Sequence, residues 1–133
     1  IDETVSFLDW YPTILQMTGT EMADDLTIRG RSFLPLLHGE EVSDWSNDLY
    51  GDYSMHNGAN VHMRMYRTED WKLVRDFLDE SRDEFYNITE DPDESNNLID
   101  SSDPEVQNAI ERLDEMLLRK MRETDDPALI LAD

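Results

Sequence analysis

Residues 61–75 read VHMRMYRTEDWKLVR and carry the pattern from which the fold is predicted. From Val61 to Tyr66 an apolar side chain alternates with a polar or aromatic one, which is the two-residue period of a strand with two different faces. Residues 68–70 supply a tight turn, and residues 71–75 return as a second arm. The stretch therefore predicts an antiparallel β-hairpin.

Further strands flank this hairpin. Residues 49–54 and 84–88 each carry the composition of a short strand. Residues 56–58 and the polar run 91–97 are predicted to be loops.

The clearest helix lies near the end of the chain. Asp103 can cap it, and Pro104 suits its first position. Apolar residues then recur at helical spacing, at Val106, Ile110, Leu113 and Leu117. We expect an amphipathic helix of about five turns that covers the sheet, followed by a tail, residues 123–133, without an assigned structure.

The segment 1–20 is predicted to be a connecting strand and helix. Residues 4–8 are apolar and expected to be extended. Asp9 is then the predicted N-cap, Pro12 is placed in the first turn, and Gly19 can end the helix.

Composition restricts the possible partners. The 133 residues suit one domain, and their net charge of -21 repels nucleic acid and anionic membranes, so neither partner is expected. The chain has 32 acidic residues and few lysines, which resembles proteins from high-salt environments, although an acidic mesophilic protein remains an alternative. Cysteine is absent, which removes disulfides and thiol nucleophiles.

Three segments together resemble the C-terminal region of type I sulfatases. They are VSFLDWYPTILQMTG at 5–19, RGRSFLPLL at 29–37, and the hairpin followed by EFYNITEDPDESNNL at 84–98. They match the family's Asp-x-x-Pro-Thr helix, its Gly-Arg-Ser-Leu-x-Pro-Leu-Leu stretch and its Asp-Pro-x-Glu-x-x-Asn-Leu loop, in the same order. In that loop, side-chain acceptors are expected to satisfy free backbone N–H groups.

The resemblance implies an α+β fold, with a small four-stranded antiparallel sheet packed against a long C-terminal amphipathic helix and a short N-terminal helix. Residues 1–133 would be a single C-terminal sulfatase subdomain that helps to wall the substrate pocket. Its partners would be the missing N-terminal catalytic domain and a sulfated small molecule or sugar. The first residues are neither an initiator Met nor a signal peptide, so we expect a fragment whose localisation stays open.

The catalytic groups implied by the resemblance are not expected in this fragment. The family uses a formylglycine made from Cys or Ser and a divalent metal, usually calcium. Ser102 begins the nearest match to the formylglycine motif, which lacks the Arg and is interpreted as a helix cap. Asp24 and Asp25 are interpreted as solvated surface, and the 91–94 loop lacks the Gly and Glu of an EF-hand. No catalytic residue, metal site or cofactor is therefore predicted, and the chain alone should hydrolyse nothing.

Two residues are candidates for substrate contact. His56 lies in a loop between strands, where a cationic or hydrogen-bonding side chain could hold a sulfate or sugar group. Arg67, at the end of a hairpin arm, is a similar candidate with a structural alternative. His38 and His62 are predicted to be surface or packing residues.

The sequence alone leaves alternatives open. The parent could be a phosphonate monoesterase or phosphodiesterase, or the chain could be a stand-alone acidic interaction module. If the chain is a sulfatase fragment, Phe7, Trp10 and Tyr11 should lie at the seam with the catalytic domain, and burial of all three in the isolated chain would contradict this.

Overall fold

The computed structural model describes residues 1–21, 23, 25–58 and 60–132, and it divides into two compact units. The unit Ile1–Asn47 contains helix α1, Phe7–Thr18, and the short helix α2, Leu34–Leu37. The unit Asp48–Asp133 contains the sheet and the long helix. Its elements are β1 Leu49–Met55, β2 Val61–Arg67, β3 Trp71–Asp76, a 3-10 helix Glu80–Arg82, β4 Glu84–Asn87, α3 Pro104–Glu123 and a C-terminal 3-10 helix Pro127–Leu131.

The sheet has the order β1-β2-β3-β4, and every neighbouring pair is antiparallel. All four strands lie where the sequence predicts them, and the register pairs Met55 with Val61 and Arg67 with Lys72. The fold is therefore the α+β class predicted from the sequence.

The core of this unit lies between one face of the sheet and α3. The helix buries Leu113, Leu117 and Met121 completely, and they pack in one cluster with Leu73 and Phe85 of the sheet. Each fully buried side chain of this kind stabilises the fold by about 1.5–3 kcal/mol.

The predicted start of α3 is confirmed. The Asp103 carboxylate accepts a hydrogen bond from the Glu105 N–H at 2.8 Å, and Pro104 is the first helical residue. Ser102 is exposed directly before this cap.

The predicted start of α1 is wrong. The helix begins at Phe7, so residues 7 and 8 are helical rather than extended. Ser6 is the N-cap, because its hydroxyl accepts from the Leu8 N–H while its own N–H donates to the Asp9 carboxylate at 2.7 Å. Asp9 therefore closes a capping box instead of acting as the cap.

The earlier start moves Pro12 from the first turn into the helix interior. Proline cannot donate the hydrogen bond that the carbonyl of Leu8 would otherwise receive. Gly30 lies against that carbonyl, since a Cβ added at Gly30 would be 2.0 Å from the Leu8 oxygen. The predicted end is confirmed: Gly19 closes the helix with φ of 64°.

The 91–97 loop and the residues after it satisfy backbone groups as predicted. The Asp91 carboxylate accepts from the Asn96 N–H, and the Asn97 side-chain oxygen accepts from the N–H groups of Phe85 and Ile99. This loop therefore joins β4 to α3 through side-chain acceptors.

Candidate functional site

Helix α1 exposes its large apolar side chains and buries a polar one. Phe7 is 95% exposed, and Trp10 and Tyr11 are each 49% exposed. Ile14 and Met17 are exposed as well. We call these five residues the α1 apolar surface. Their exposure inverts the usual orientation of an amphipathic helix and leaves a patch of the kind that marks an interface.

The buried residue of α1 is Thr13, which fastens the helix to its own unit. The Thr13 hydroxyl donates to the Asp9 carbonyl at 2.6 Å and accepts from the Phe33 N–H at 3.0 Å. The ring of Trp10 packs edge-on against Phe33, with centroids 5.2 Å apart. The helix is thus held in the unit through the contacts that Thr13 and Trp10 make with Phe33.

An open cavity of about 450 Å³ lies beside the α1 apolar surface. It is lined by Phe7, Leu8, Tyr11, Thr27, Ile28, Arg29 and Gly30. Asp9 joins the segment next to Gly30 to α1, because its second carboxylate oxygen accepts a hydrogen bond from the Arg31 N–H at 2.8 Å. The two segments of the sequence resemblance, residues 5–19 and 29–37, therefore meet in one apolar depression.

His56 lies just beyond the end of β1, next to a second histidine. Its ring packs edge-on against His62, with centroids 5.1 Å apart. The His62 Nδ1 is 2.9 Å from the Ser54 hydroxyl, and the His62 N–H donates to the Asp76 carboxylate at 3.1 Å. His56 is exposed, whereas His62 is half-buried and held by these two contacts.

Arg67 is exposed at the opposite end of β2. The strand runs from Val61, which pairs with the last residue of β1, to Arg67, which pairs with the first. Six steps of about 3.3 Å separate these positions, so Arg67 and the hairpin end that carries His56 are roughly 20 Å apart. The structure does not bring the two candidate residues together.

The sheet unit contains a buried ionic network that involves the tail. Arg64 is 2% exposed and makes two hydrogen bonds to the Asp126 carboxylate, at 2.6 and 2.7 Å. Tyr50 donates a third at 2.6 Å. The Arg64 guanidinium holds the pKa of Asp126 well below its usual range. The pKa of Tyr50 is raised, mainly because the hydroxyl is buried and also because it donates a hydrogen bond to the Asp126 carboxylate.

The sequence does not predict this network, because the tail lacks a hydrophobic period. A signal was present, since Asp126-Pro127 repeats the Asp103-Pro104 start of α3. The Asp126 carboxylate indeed caps the C-terminal 3-10 helix by accepting from the Ala128 N–H at 2.8 Å.

A second ionic cluster centres on Arg75, which pairs with Asp83 at 2.7 Å and with both oxygens of Asp114. Asp114 first and then Asp83 raise the pKa of Arg75. Arg75, Asp83 and Asp114 all line an open groove of about 900 Å³ between β3, the first 3-10 helix and α3. Asp83 and Asp114 therefore already have a cationic partner within the fold.

The remaining carboxylates do not assemble into a metal site in the part of the chain that the structure describes, where no group of three or more His, Cys, Asp or Glu side chains could hold an ion. Glu94 pairs with Lys72 at 2.5 Å. Asp25 is exposed, and Asp24 lies outside the described residues. Across residues 1–21, 23, 25–58 and 60–132, no helix has the length and apolar character of a membrane span.

Comparison with known proteins identifies the class. Residues 1–123 match the family described as N-sulphoglucosamine sulphohydrolase, C-terminal. An N-acetylglucosamine-6-O-sulfatase of Bacteroides thetaiotaomicron is 33% identical over 69% of this chain and 17% of its own length. An ulvan-active sulfatase of Formosa agariphila is 26% identical over 84% of this chain and 28% of its own length. The chain thus spans well under a third of each relative.

Solved structures share the fold. One, determined with its substrate D-glucosamine-2-N,6-O-disulfate, is 28% identical with a TM-score of 0.72, covering 90% of this chain and 25% of that chain. Another, from Bacteroides thetaiotaomicron, is 21% identical with a TM-score of 0.76, covering 89% of this chain and 25% of that chain.

These observations define a sulfatase C-terminal domain. More particularly, the chain belongs to the N-sulphoglucosamine sulphohydrolase C-terminal family, which confirms the resemblance seen in the sequence.

Proposed function

We propose that this chain is the C-terminal part of a sulfuric ester hydrolase and that it completes the enzyme by docking through the α1 apolar surface onto an N-terminal catalytic domain. The observation that carries the proposal is the exposure of Phe7, Trp10 and Tyr11, which the seam requires. The relatives suggest which partner would cover this surface. The chain matches a C-terminal family and spans only 17% and 28% of two curated sulfatases, so the remainder of such an enzyme is the candidate partner.

The apolar character of the surface favours a permanent partner. Side chains as large as Phe7 and Trp10 lose about 1.5–3 kcal/mol each when they stay in water instead of being buried. An interface core enriched in aromatic residues is typical of stable association. A catalytic domain joined to the chain through residue 1 would also avoid most of the entropy cost of meeting a separate molecule.

The hydrolytic chemistry belongs to that other domain. The sequence has no Cys, and no group of three or more His, Cys, Asp or Glu side chains that could hold an ion lies among the residues described in the structure. We propose that the formylglycine and the calcium that the family uses lie in the catalytic domain. The expected role of this chain is to close one side of the substrate pocket.

Within that role, His56 is the proposed substrate contact. An exposed imidazole beside His62 offers hydrogen-bond donors to the anionic group of a sulfated sugar. Arg67 is a second, separate candidate, because about 20 Å of β2 lies between the two and one sugar ring cannot reach both. A sulfated amino sugar is the proposed substrate class, on the basis of the relatives' names.

The test uses the complete reading frame that contains this chain. Sulfate release from glucosamine 6-sulfate would be measured for the parent, for Phe7→Ser and for the matched control Ile130→Ser, which alters an exposed apolar residue outside α1. We expect Phe7→Ser to reduce the yield of active enzyme and Ile130→Ser to leave it unchanged. Equal losses, or none in either variant, would contradict docking through α1.

The same preparation tests the alternative activities. A phosphonate monoester and a phosphodiester would be assayed beside the sulfate ester, and we expect the sulfate ester to be the preferred substrate. The relatives described above are sulfatases, so they do not favour a phosphonate or phosphodiester hydrolase. A chain that lacks an upstream catalytic segment would instead support the acidic interaction module.

A further inference from the structure

The loop between β1 and β2 contains a chemically reactive pair, Asn57 and Gly58. It is the one place in the sequence where glycine follows asparagine. Both residues are exposed, and Gly58 has a φ of 89°, a backbone conformation that residues other than glycine rarely adopt. Nothing lies within 4 Å of the position that a Cβ on Gly58 would occupy. Gly58 therefore has no side chain of its own that could obstruct attack by its backbone nitrogen.

Neither reacting group has a hydrogen-bond partner among the described residues: the structure shows none for the Asn57 side chain and none for the Gly58 N–H. Asn87 differs, because its side-chain oxygen accepts from the N–H groups of Thr89 and Glu90. Asn60 lies in the same loop but precedes Val61, whose branched and buried side chain obstructs attack by its backbone nitrogen.

We propose that Asn57 is a site of spontaneous deamidation, which places a carboxylate next to His56 and the His56–His62 pair. The Gly58 backbone nitrogen attacks the Asn57 side-chain carbonyl carbon, loses its proton to solvent and expels ammonia, which closes a succinimide ring. Water then opens the ring to aspartate or isoaspartate. The net change is amide plus water to carboxylate plus ammonium, with no oxidant or reductant.

The consequence depends on the proposed function of His56. A carboxylate one residue away supplies an internal anion that competes with the anionic group of a substrate. The net charge of the chain also becomes one unit more negative than -21. Deamidation would thus weaken substrate binding as the protein ages, without altering the core.

The first experiment tests the modification alone. The folded chain would be incubated in mildly alkaline buffer and mapped by mass spectrometry with enzymatic isoaspartate labelling, beside a synthetic peptide of residues 54–62. We expect conversion at Asn57 in both samples, none at Asn60 or Asn87 in the folded chain, and none at position 57 of Asn57→Gln. An intact Asn57 in the folded chain while the peptide converts would overturn the proposal.

The second experiment separates the modification from the proposed substrate contact. In the complete parent enzyme, Asn57→Asp should raise KM for glucosamine 6-sulfate about tenfold with kcat unchanged, whereas Asn57→Gln should match the wild type. If Asn57 deamidates but Asn57→Asp leaves KM unchanged, the modification site stands and the proposed contact at His56 fails.

Discussion

Arg64 and Asp126 are 62 positions apart, yet they form a two-point ion pair in the interior of the sheet unit. The pair joins the middle of β2 to the residue that caps the C-terminal 3-10 helix. Removing one partner of such a buried pair leaves the other charge uncompensated.

The first prediction concerns this pair. Asp126→Ala should lower the free energy of unfolding by about 3–5 kcal/mol, because Arg64 and the Tyr50 hydroxyl both lose their acceptor. The matched control is Asp93→Ala, an exposed carboxylate of the 91–97 loop that should change stability by less than about 0.5 kcal/mol. Urea denaturation would measure both, and equal effects would refute the role assigned to the pair.

The second prediction follows from the lowered pKa of Asp126. The folded protein keeps the Asp126 carboxylate ionised to a lower pH than the unfolded chain does, because in the unfolded chain this carboxyl group has its ordinary pKa of 3.8. The stabilisation is therefore complete above that value and is lost as the pH falls through the window below it. Stability measured against pH should fall steeply on acidification in the wild type and less steeply in Asp126→Asn. Parallel curves would show that Asp126 does not supply this dependence.

The third prediction concerns Gly30. Gly30→Ala should destabilise the first unit, because the new methyl group would lie 2.0 Å from the Leu8 carbonyl oxygen, which is backbone and cannot move aside cheaply. Overpacking of this kind costs about 1–3 kcal/mol. Gly51→Ala is the control, since its Cβ would meet a flexible Met65 methyl group at 3.2 Å. Hydrogen exchange of the α1 amides would report the difference, and unaltered exchange would contradict the close contact.

The fourth prediction concerns Thr13. Thr13→Val keeps the shape of the side chain but removes the acceptor for the Phe33 N–H, so α1 should become less stable by about 1–3 kcal/mol. Thr18→Val is the control, because its exposed hydroxyl bonds mainly to carbonyls of its own helix. Similar exchange of the α1 amides in the two variants would rule out Thr13 as the fastening residue.

The fifth prediction concerns salt. A net charge of -21 on 133 residues repels itself, and added salt screens that repulsion. The Tm of the chain should rise as KCl is increased to molar concentration, as expected for a protein adapted to brine. A Tm that is flat or falls with KCl would favour the acidic mesophilic alternative.

The strands and α3 could be predicted because their signals are local. The alternation of residues 61–66 has the period of a strand, and the helical spacing of Val106, Ile110, Leu113 and Leu117 marks the face of α3 that packs on the core. The start of α1 was misassigned although Ser6 and Asp9 have capping-box spacing, because the apolar residues before Asp9 are also typical of a strand.

The candidate site could be predicted only in part. His56 and Arg67 are single residues without a pattern, and their separation depends on the register of β1 and β2, which the sequence does not display. The pairing of Arg64 with Asp126 depends on contacts across most of the sheet unit. The exposure of Phe7, Trp10 and Tyr11 was expected from the resemblance to a domain cut from its partner, and the structure shows it.

Docking through the α1 apolar surface is tested by hydroxyl-radical footprinting of Phe7, Trp10 and Tyr11, in this chain alone and in the complete parent protein. We expect rapid oxidation of all three in the isolated chain and strong protection in the parent, with Ile130 equally reactive in both. Equal oxidation of the three aromatic residues in the two proteins would show that the α1 apolar surface is not the seam with a catalytic domain.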